Sequence, residues 1–141
     1  MKKILIINGA NLNMTGKRNP EIYGTKTLDE INREIAVRAK ELNVSVEFVT
    51  SNWEGEIIDA IHRAGEECDG IIINPGAWTH YSYAIRDALD AVSVPKIEVH
   101  ISNIYEREEW RRVSVIKDVC NGSIVGKGYK GYMLALEELV K

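Results

Sequence analysis

The sequence predicts a doubly wound α/β fold: a five-stranded parallel sheet in the flavodoxin-like order 2-1-3-4-5, with helices on both faces. Three observations predict it. Short apolar, β-branched runs alternate with helix-period segments along the whole chain. Two runs, Leu5-Ile6-Ile7 and Ile71-Ile72-Ile73, are apolar at consecutive positions, as in strands buried on both faces. The segments between carry helix signals rather than hairpin turns.

The elements follow in order. Ile4–Ile7 is the first strand. Thr27-Leu28-Asp29-Glu30 is a capping-box pattern, and Leu28, Ile31, Ile35 and Leu42 continue it at helical spacing. Val46–Val49 is the second strand, and Ile57, Ile58, Ile61 and Ala64 mark the second helix. Ile71–Ile73 is the third strand, followed by a helix marked by Ala84, Ile85, Ala88, Leu89 and Val92. Lys96–Ser102 is the fourth strand, and a less regular fourth helix is expected over Glu108–Val119. Ser123–Val125 is the weakest strand, and Tyr132, Ala135, Leu136 and Leu139 close the chain as the last helix. Gly126-Lys127-Gly128-Tyr129-Lys130-Gly131 matches G-x-G-x-x-G. It follows the last strand and has no acidic residue twenty positions on, so it reads as a tight turn rather than a dinucleotide site.

Composition narrows the function classes. Of 141 residues, 45% are hydrophobic and 28% charged; 18 Lys plus Arg stand against 21 Asp plus Glu, a net charge of -3. That length suits one domain over 1–141, which needs neither a disulfide nor a structural metal to hold a core. The basic residues are dispersed, which argues against nucleic-acid binding through phosphate neutralisation. Cys68 and Cys120 form no C-x-x-C pair and read as thiols in a reducing compartment. The first apolar run, Ile4–Ile7, is too short for a signal or membrane segment, so a soluble cytoplasmic protein is expected.

In open α/β sheets, ligands bind outside the carboxyl ends of the strands. Those ends are polar here: Asn8, Asn11 and Asn13; Ser51 and Asn52; Asn74, Thr79 and His80; His100, Ser102 and Asn103. Amides and imidazoles at four strand ends predict a converging site. The segment 9–26 has no regular period and would be a loop of about eighteen residues, long enough to be a lid or a mobile surface loop. It carries Arg18 and Tyr23, and a guanidinium near a phenol favours the phenolate, a competent base. In the fourth strand Glu98, His100 and Ser102 share one face, which lines either a wet pocket or the solvated side of an edge strand. His100 suits acid–base work and Glu98 could orient it. His62, on the second helix, has no polar partner nearby in sequence and reads as a surface or packing residue.

Two occupants of this fold are excluded by inspection. A phosphoacceptor receiver needs acidic residues where this chain has Asn8 and Asn74. A flavin-binding flavodoxin needs a Ser/Thr-rich loop where this chain reads Asn8-Gly9-Ala10-Asn11-Leu12-Asn13.

That last block, with several others in order, is similar to type II 3-dehydroquinate dehydratases. The others are Gly16-Lys17-Arg18 through Tyr23-Gly24, Ser51-Asn52-Trp53-Glu54-Gly55, Asn74-Pro75-Gly76-Ala77 with Thr79-His80, Ala84-Ile85-Arg86-Asp87-Ala88, Glu98-Val99-His100-Ile101-Ser102-Asn103, Arg107-Glu108-Glu109-Trp110-Arg111 and Gly128-Tyr129-Lys130-Gly131-Tyr132. Ala10 stands where the family usually has Pro, which removes no functional side chain. The resemblance implies a cofactor-free and metal-free lyase that removes water from 3-dehydroquinate by anti elimination through an enolate. It implies Tyr23 as base, Arg18 as its electrostatic partner, Asn11 at the enolate oxygen, and His100 supported by Glu98 as acid. It implies substrate binding by Asn74, His80, Asp87, Arg111 and the Ile101-Ser102 backbone, with Arg107 outside that set. It also implies a homo-oligomer of trimers, building a dodecamer in which Asp87 serves a neighbouring copy. Two other readings stay open: a non-catalytic sensor of a cyclic polyol acid, and an enzyme acting on another hydroxy-ketone acid.

Overall fold

The computed structural model describes residues 1–141. Its elements are β1 (Lys3–Asn8), α1 (Pro20–Tyr23), α2 (Leu28–Glu41), β2 (Ser45–Thr50), α3 (Glu54–Glu67), β3 (Gly70–Asn74), α4 (Tyr83–Ala91), β4 (Lys96–His100), β5 (Gly122–Val125) and α5 (Lys130–Leu139). All five strands run parallel in the order β2-β1-β3-β4-β5, as the sequence predicts.

Period-two alternation divides each interior strand between two cores. Ile4, Ile6, Ile72, Ile97 and Val99 pack beneath α2 and α5 with Ile31, Ile35, Tyr132 and Leu136. Leu5, Ile7, Ile71 and Ile73 pack beneath α3 and α4 with Ile57, Ile61, Ile85 and Leu89. β1 and β3 are buried on both faces, which is why their sequences are continuously apolar. Each fully buried isoleucine contributes roughly 1.5–3 kcal/mol relative to its exposed state. The capping box of α2 forms as expected: the Glu30 N–H donates to Thr27 Oγ1, and the Thr27 N–H donates to the Glu30 carboxylate. Gly126 and Gly128 take left-handed φ values of 72° and 59°, which makes the glycine-rich segment the turn into α5.

One expectation is corrected and one open alternative falls away. No α-helix forms over Glu108–Val119; the β4–β5 crossover carries only 3-10 turns at Ile104–Glu106, Glu109–Arg112 and Lys117–Val119. Its backbone groups bond outward instead of along a helix. The Val115 N–H donates to the Thr79 carbonyl, and the carbonyls of Val113 and Val115 accept from His80 and Arg86. Nor is β4 an edge strand: it lies between β3 and β5 and is buried throughout, so Glu98 and His100 face no open solvent.

The parallel topology brings all strand ends to one edge. There Gly9 and Gly76 let the exits of β1 and β3 touch. A Cβ on Gly9 would stand 2.5 Å from the Pro75 carbonyl oxygen, and Gly76, at φ 67°, lies against the carbonyl of Ala10. No helix is long and apolar enough to cross a membrane.

Candidate active site

A cleft opens at this edge, its walls drawn from the exits of β1, β3 and β4 and from the β4–β5 crossover. It collects Asn11, Arg18, Tyr23, Asn74, His80, His100, Ile101, Ser102 and Arg111 from the sequence-predicted set. Two members lie elsewhere. Glu98 is fully buried behind His100, and Asp87 is on the exposed side of α4, away from its own chain's cleft. His62 is exposed on α3, in keeping with a scaffold role.

Tyr23 is placed by local chain chemistry. Pro20 occupies the first turn of α1 with its φ preset, and Gly24 follows at φ 81°, so a single helical turn ends on Tyr23. The phenol ring rests against the α2–α5 core. Its oxygen accepts from two guanidinium groups, Arg107 Nη1 at 2.8 Å and Arg18 Nη2 at 3.3 Å. The Arg18 and Arg107 carbons also stand 4.6 and 5.1 Å from the ring centroid. Two guanidinium groups thus meet at one phenol oxygen, each with an N–H directed at it. Arg107 Nη1 donates also to Ser102 Oγ at 3.2 Å, joining the lid segment to the exit of β4.

His100 is held from below. Its Nε2 pairs with Glu98 Oε2 at 2.5 Å, and Ser114 Oγ donates to the same oxygen at 2.7 Å. With Nε2 committed to the carboxylate, Nδ1 is the nitrogen left to serve the cleft. His80, 6.5 Å away between ring centroids and nearly parallel, is fixed differently. Its Nδ1 stands 2.7 Å from the Val113 carbonyl and must donate there, and Trp110 meets the ring edge-on at 5.3 Å. Burial lowers the His80 pKa below the ordinary imidazole value, with help from the nearby His100 and Arg111 charges and against the pull of the Val113 carbonyl. His80 is therefore a neutral ring whose Nε2 accepts.

Asn11 sits at a left-handed φ of 68°, pinned by its N–H donating to Asn52 Oδ1 at 2.7 Å. Arg111 is held against Glu108 Oε2 at 3.0 Å and over the Trp110 ring. The remaining strand-end amides leave the site: Asn13 accepts from Asn52, and Asn8 is wholly buried beneath it. Both cysteines are free, and burial pushes the Cys120 thiol up to about 12, too high for a nucleophile at neutral pH. No three His, Cys, Asp or Glu side chains gather as a metal would require.

Sequence reasoning missed three groups. Arg107 was set outside the site although it makes the shorter contact to Tyr23. The second basic residue of Arg107-Glu108-Glu109-Trp110-Arg111 was the one signal of a charged wall. Ser114 and Tyr132 lie in segments read as helices, and nothing in local sequence marks their partners.

Residues 2–140 match the family described as dehydroquinase class II. A 3-dehydroquinate dehydratase of Thermotoga neapolitana is 58% identical over 139 residues, spanning 99% of this chain and 94% of that protein. One from Caldicellulosiruptor bescii is 57% identical, spanning 99% and 97%. The crystal structure of a type II dehydroquinase from Butyrivibrio crossotus superposes with a TM-score of 0.98 at 54% identity, covering 99% of this chain and 98% of that one.

Proposed function

The chain belongs to the class II dehydroquinase family, and from that premise we propose how its cleft works. It is an enzyme that dehydrates 3-dehydroquinate to 3-dehydroshikimate, a step of the shikimate pathway. The observation that carries the mechanism is the opposition, within one cleft, of a phenol bonded to two guanidinium groups and an imidazole bonded to a buried carboxylate.

In the proposed reaction Tyr23, as phenolate, removes the proton alpha to the ketone, and the electron pair passes to the carbonyl oxygen as an enolate. Asn11 stabilises that oxygen. The enolate then collapses, the bond to the leaving hydroxyl breaks, and His100 Nδ1–H protonates that group as it departs as water. Glu98, held by Ser114, fixes the His100 ring for that transfer. The proton on Tyr23 returns to His100 through solvent, so the cycle consumes and releases no net proton. Arg18 and Arg107 hold the Tyr23 oxygen in place through their two hydrogen bonds.

Asn74, His80, Arg111, Ser102 and the Ile101-Ser102 backbone hold the substrate in this reading. His80 Nε2 suits a substrate hydroxyl that donates, and Arg111 one that accepts. Asp87, exposed on α4, completes the cleft of a neighbouring copy in a trimer, with trimers building a dodecamer. The enzyme works in the cytoplasm, without cofactor or metal.

The test is direct. Purified protein incubated with 3-dehydroquinate is expected to raise the ultraviolet absorbance of the conjugated enone product. A flat trace beside an active dehydroquinase control overturns the assignment.

A further inference from the structure

Tyr132 is the largest fully buried side chain, and packing alone would be served there by phenylalanine. Its hydroxyl lies instead between two buried amides at the ends of β1 and β3. Asn8 and Asn74 are register partners, and each follows the isoleucines that face α5 on its own strand. The Tyr132 hydroxyl donates to Asn8 Oδ1 at 2.5 Å and accepts from Asn74 Nδ2 at 3.1 Å. At the far end Asn74 Oδ1 accepts from the Gly76 N–H at 3.2 Å. Of the three side chains only Asn74 lines the cleft.

The chain of bonds has one direction. The Gly76 backbone N–H can only donate, so the Asn74 carbonyl must face it. The Asn74 amino group then faces Tyr132, whose own proton goes on to Asn8. Turning the Asn74 amide over would set its amino group against the Gly76 N–H. It would also demand the proton that Asn8 Oδ1 now receives. Asn8 could turn its unpartnered Nδ2 to the hydroxyl in that case, but nothing would relieve the two N–H donors set against each other at Gly76. With one amide hydrogen given to Tyr132, the second is what Asn74 can offer to the cleft.

We propose that Tyr132 is a positioning residue: the Gly76 N–H sets which way round the Asn74 amide lies, and the Tyr132 hydroxyl accepts one amide hydrogen and fixes the group in place, so that Asn74 meets the substrate as an N–H donor to an acceptor oxygen. The inference rests on the substrate-binding role given to Asn74 above. Burial, which raises the Tyr132 pKa above the ordinary phenol range, keeps the hydroxyl protonated and able to donate throughout the working pH range.

The experiment is steady-state kinetics of Tyr132→Phe, Asn74→Ala and the double variant. The expected result is a KM about five- to tenfold higher in Tyr132→Phe, with kcat within about twofold of the parent. In the Asn74→Ala background the same substitution is expected to add nothing, because its effect travels through the missing amide. An unchanged KM in Tyr132→Phe beside a raised one in Asn74→Ala overturns the positioning role alone. An equal rise in both backgrounds overturns it too, since Tyr132 would then act on the fold. An unchanged KM in Asn74→Ala removes the role of Asn74, and this proposal with it. If Tyr132→Phe does not fold, Asn8→Ala carries the test from the other end: a raised KM at retained kcat supports the chain of bonds, and an unchanged one overturns it.

Discussion

His100 and Tyr23 face the same cleft from supports of opposite kinds. His100 ends an interior strand, is buried on both faces of the sheet, and has its ring tied to a fully buried carboxylate. Tyr23 ends a one-turn helix with no buried residue, and its hydroxyl is held by side chains alone. His100 is thus preorganised by the same hydrogen-bond ladder that stabilises the fold. Tyr23 is held by charged side chains, through two arginines from segments far apart in sequence. Rate and stability should separate accordingly: changes on the Tyr23 side remove rate and leave stability, whereas changes on the His100 side affect both.

The largest expected effect tests that separation. Tyr23→Phe should lower kcat by roughly 10²–10⁴-fold, the scale of a lost general base, with the melting temperature unchanged. A variant that retained kcat, or that melted early, would break the contrast. A smaller effect sharpens it. Arg107→Ala should lower kcat about 10²-fold, as for one preorganised donor, again without loss of stability. Arg107→Lys should recover only part of it, because an ammonium keeps the charge but cannot reproduce the guanidinium fork that reaches Tyr23 and Ser102 together.

The smallest effect falls on the strand-end side and concerns pH. His80 is held neutral in the folded protein, its pKa lowered first by burial. Above the ordinary imidazole value near 6.5 it is neutral whether folded or unfolded, so it contributes no pH dependence there. As pH falls below that value the unfolded chain takes up a proton that the folded chain resists. Stability therefore drops until the lowered folded value is passed. Melting temperatures of the parent and His80→Gln should run parallel above neutral pH, and the parent should fall faster on acidification. Parallel curves throughout would remove burial as the cause.

The legible parts of the molecule share a physical character. Capping boxes, helical stripes and doubly buried strands are written in residues near one another, so α2, β1 and β3 were readable to within a residue or two. The expected helix over Glu108–Val119 failed for the converse reason. Its backbone groups bond to Thr79, His80 and Arg86, partners that local periodicity cannot reveal. The site was legible through polar residues at strand ends and through resemblance to a family. Asn8 and Asn74 show the limit of the first signal: they are register partners of the same type, yet only Asn74 reaches the cleft.

By itself the sequence determined the order of elements, the parallel sheet and the residue types available for acid–base chemistry, because periodicity and capping are short-range. Only the tertiary structure decided which of those residues work together. It set Arg107 on Tyr23 across 84 positions of chain, and Tyr132 on Asn8 across 124. Such pairings depend on where packed elements leave two polar groups facing each other, and away from bulk water those groups must find their partners within the protein.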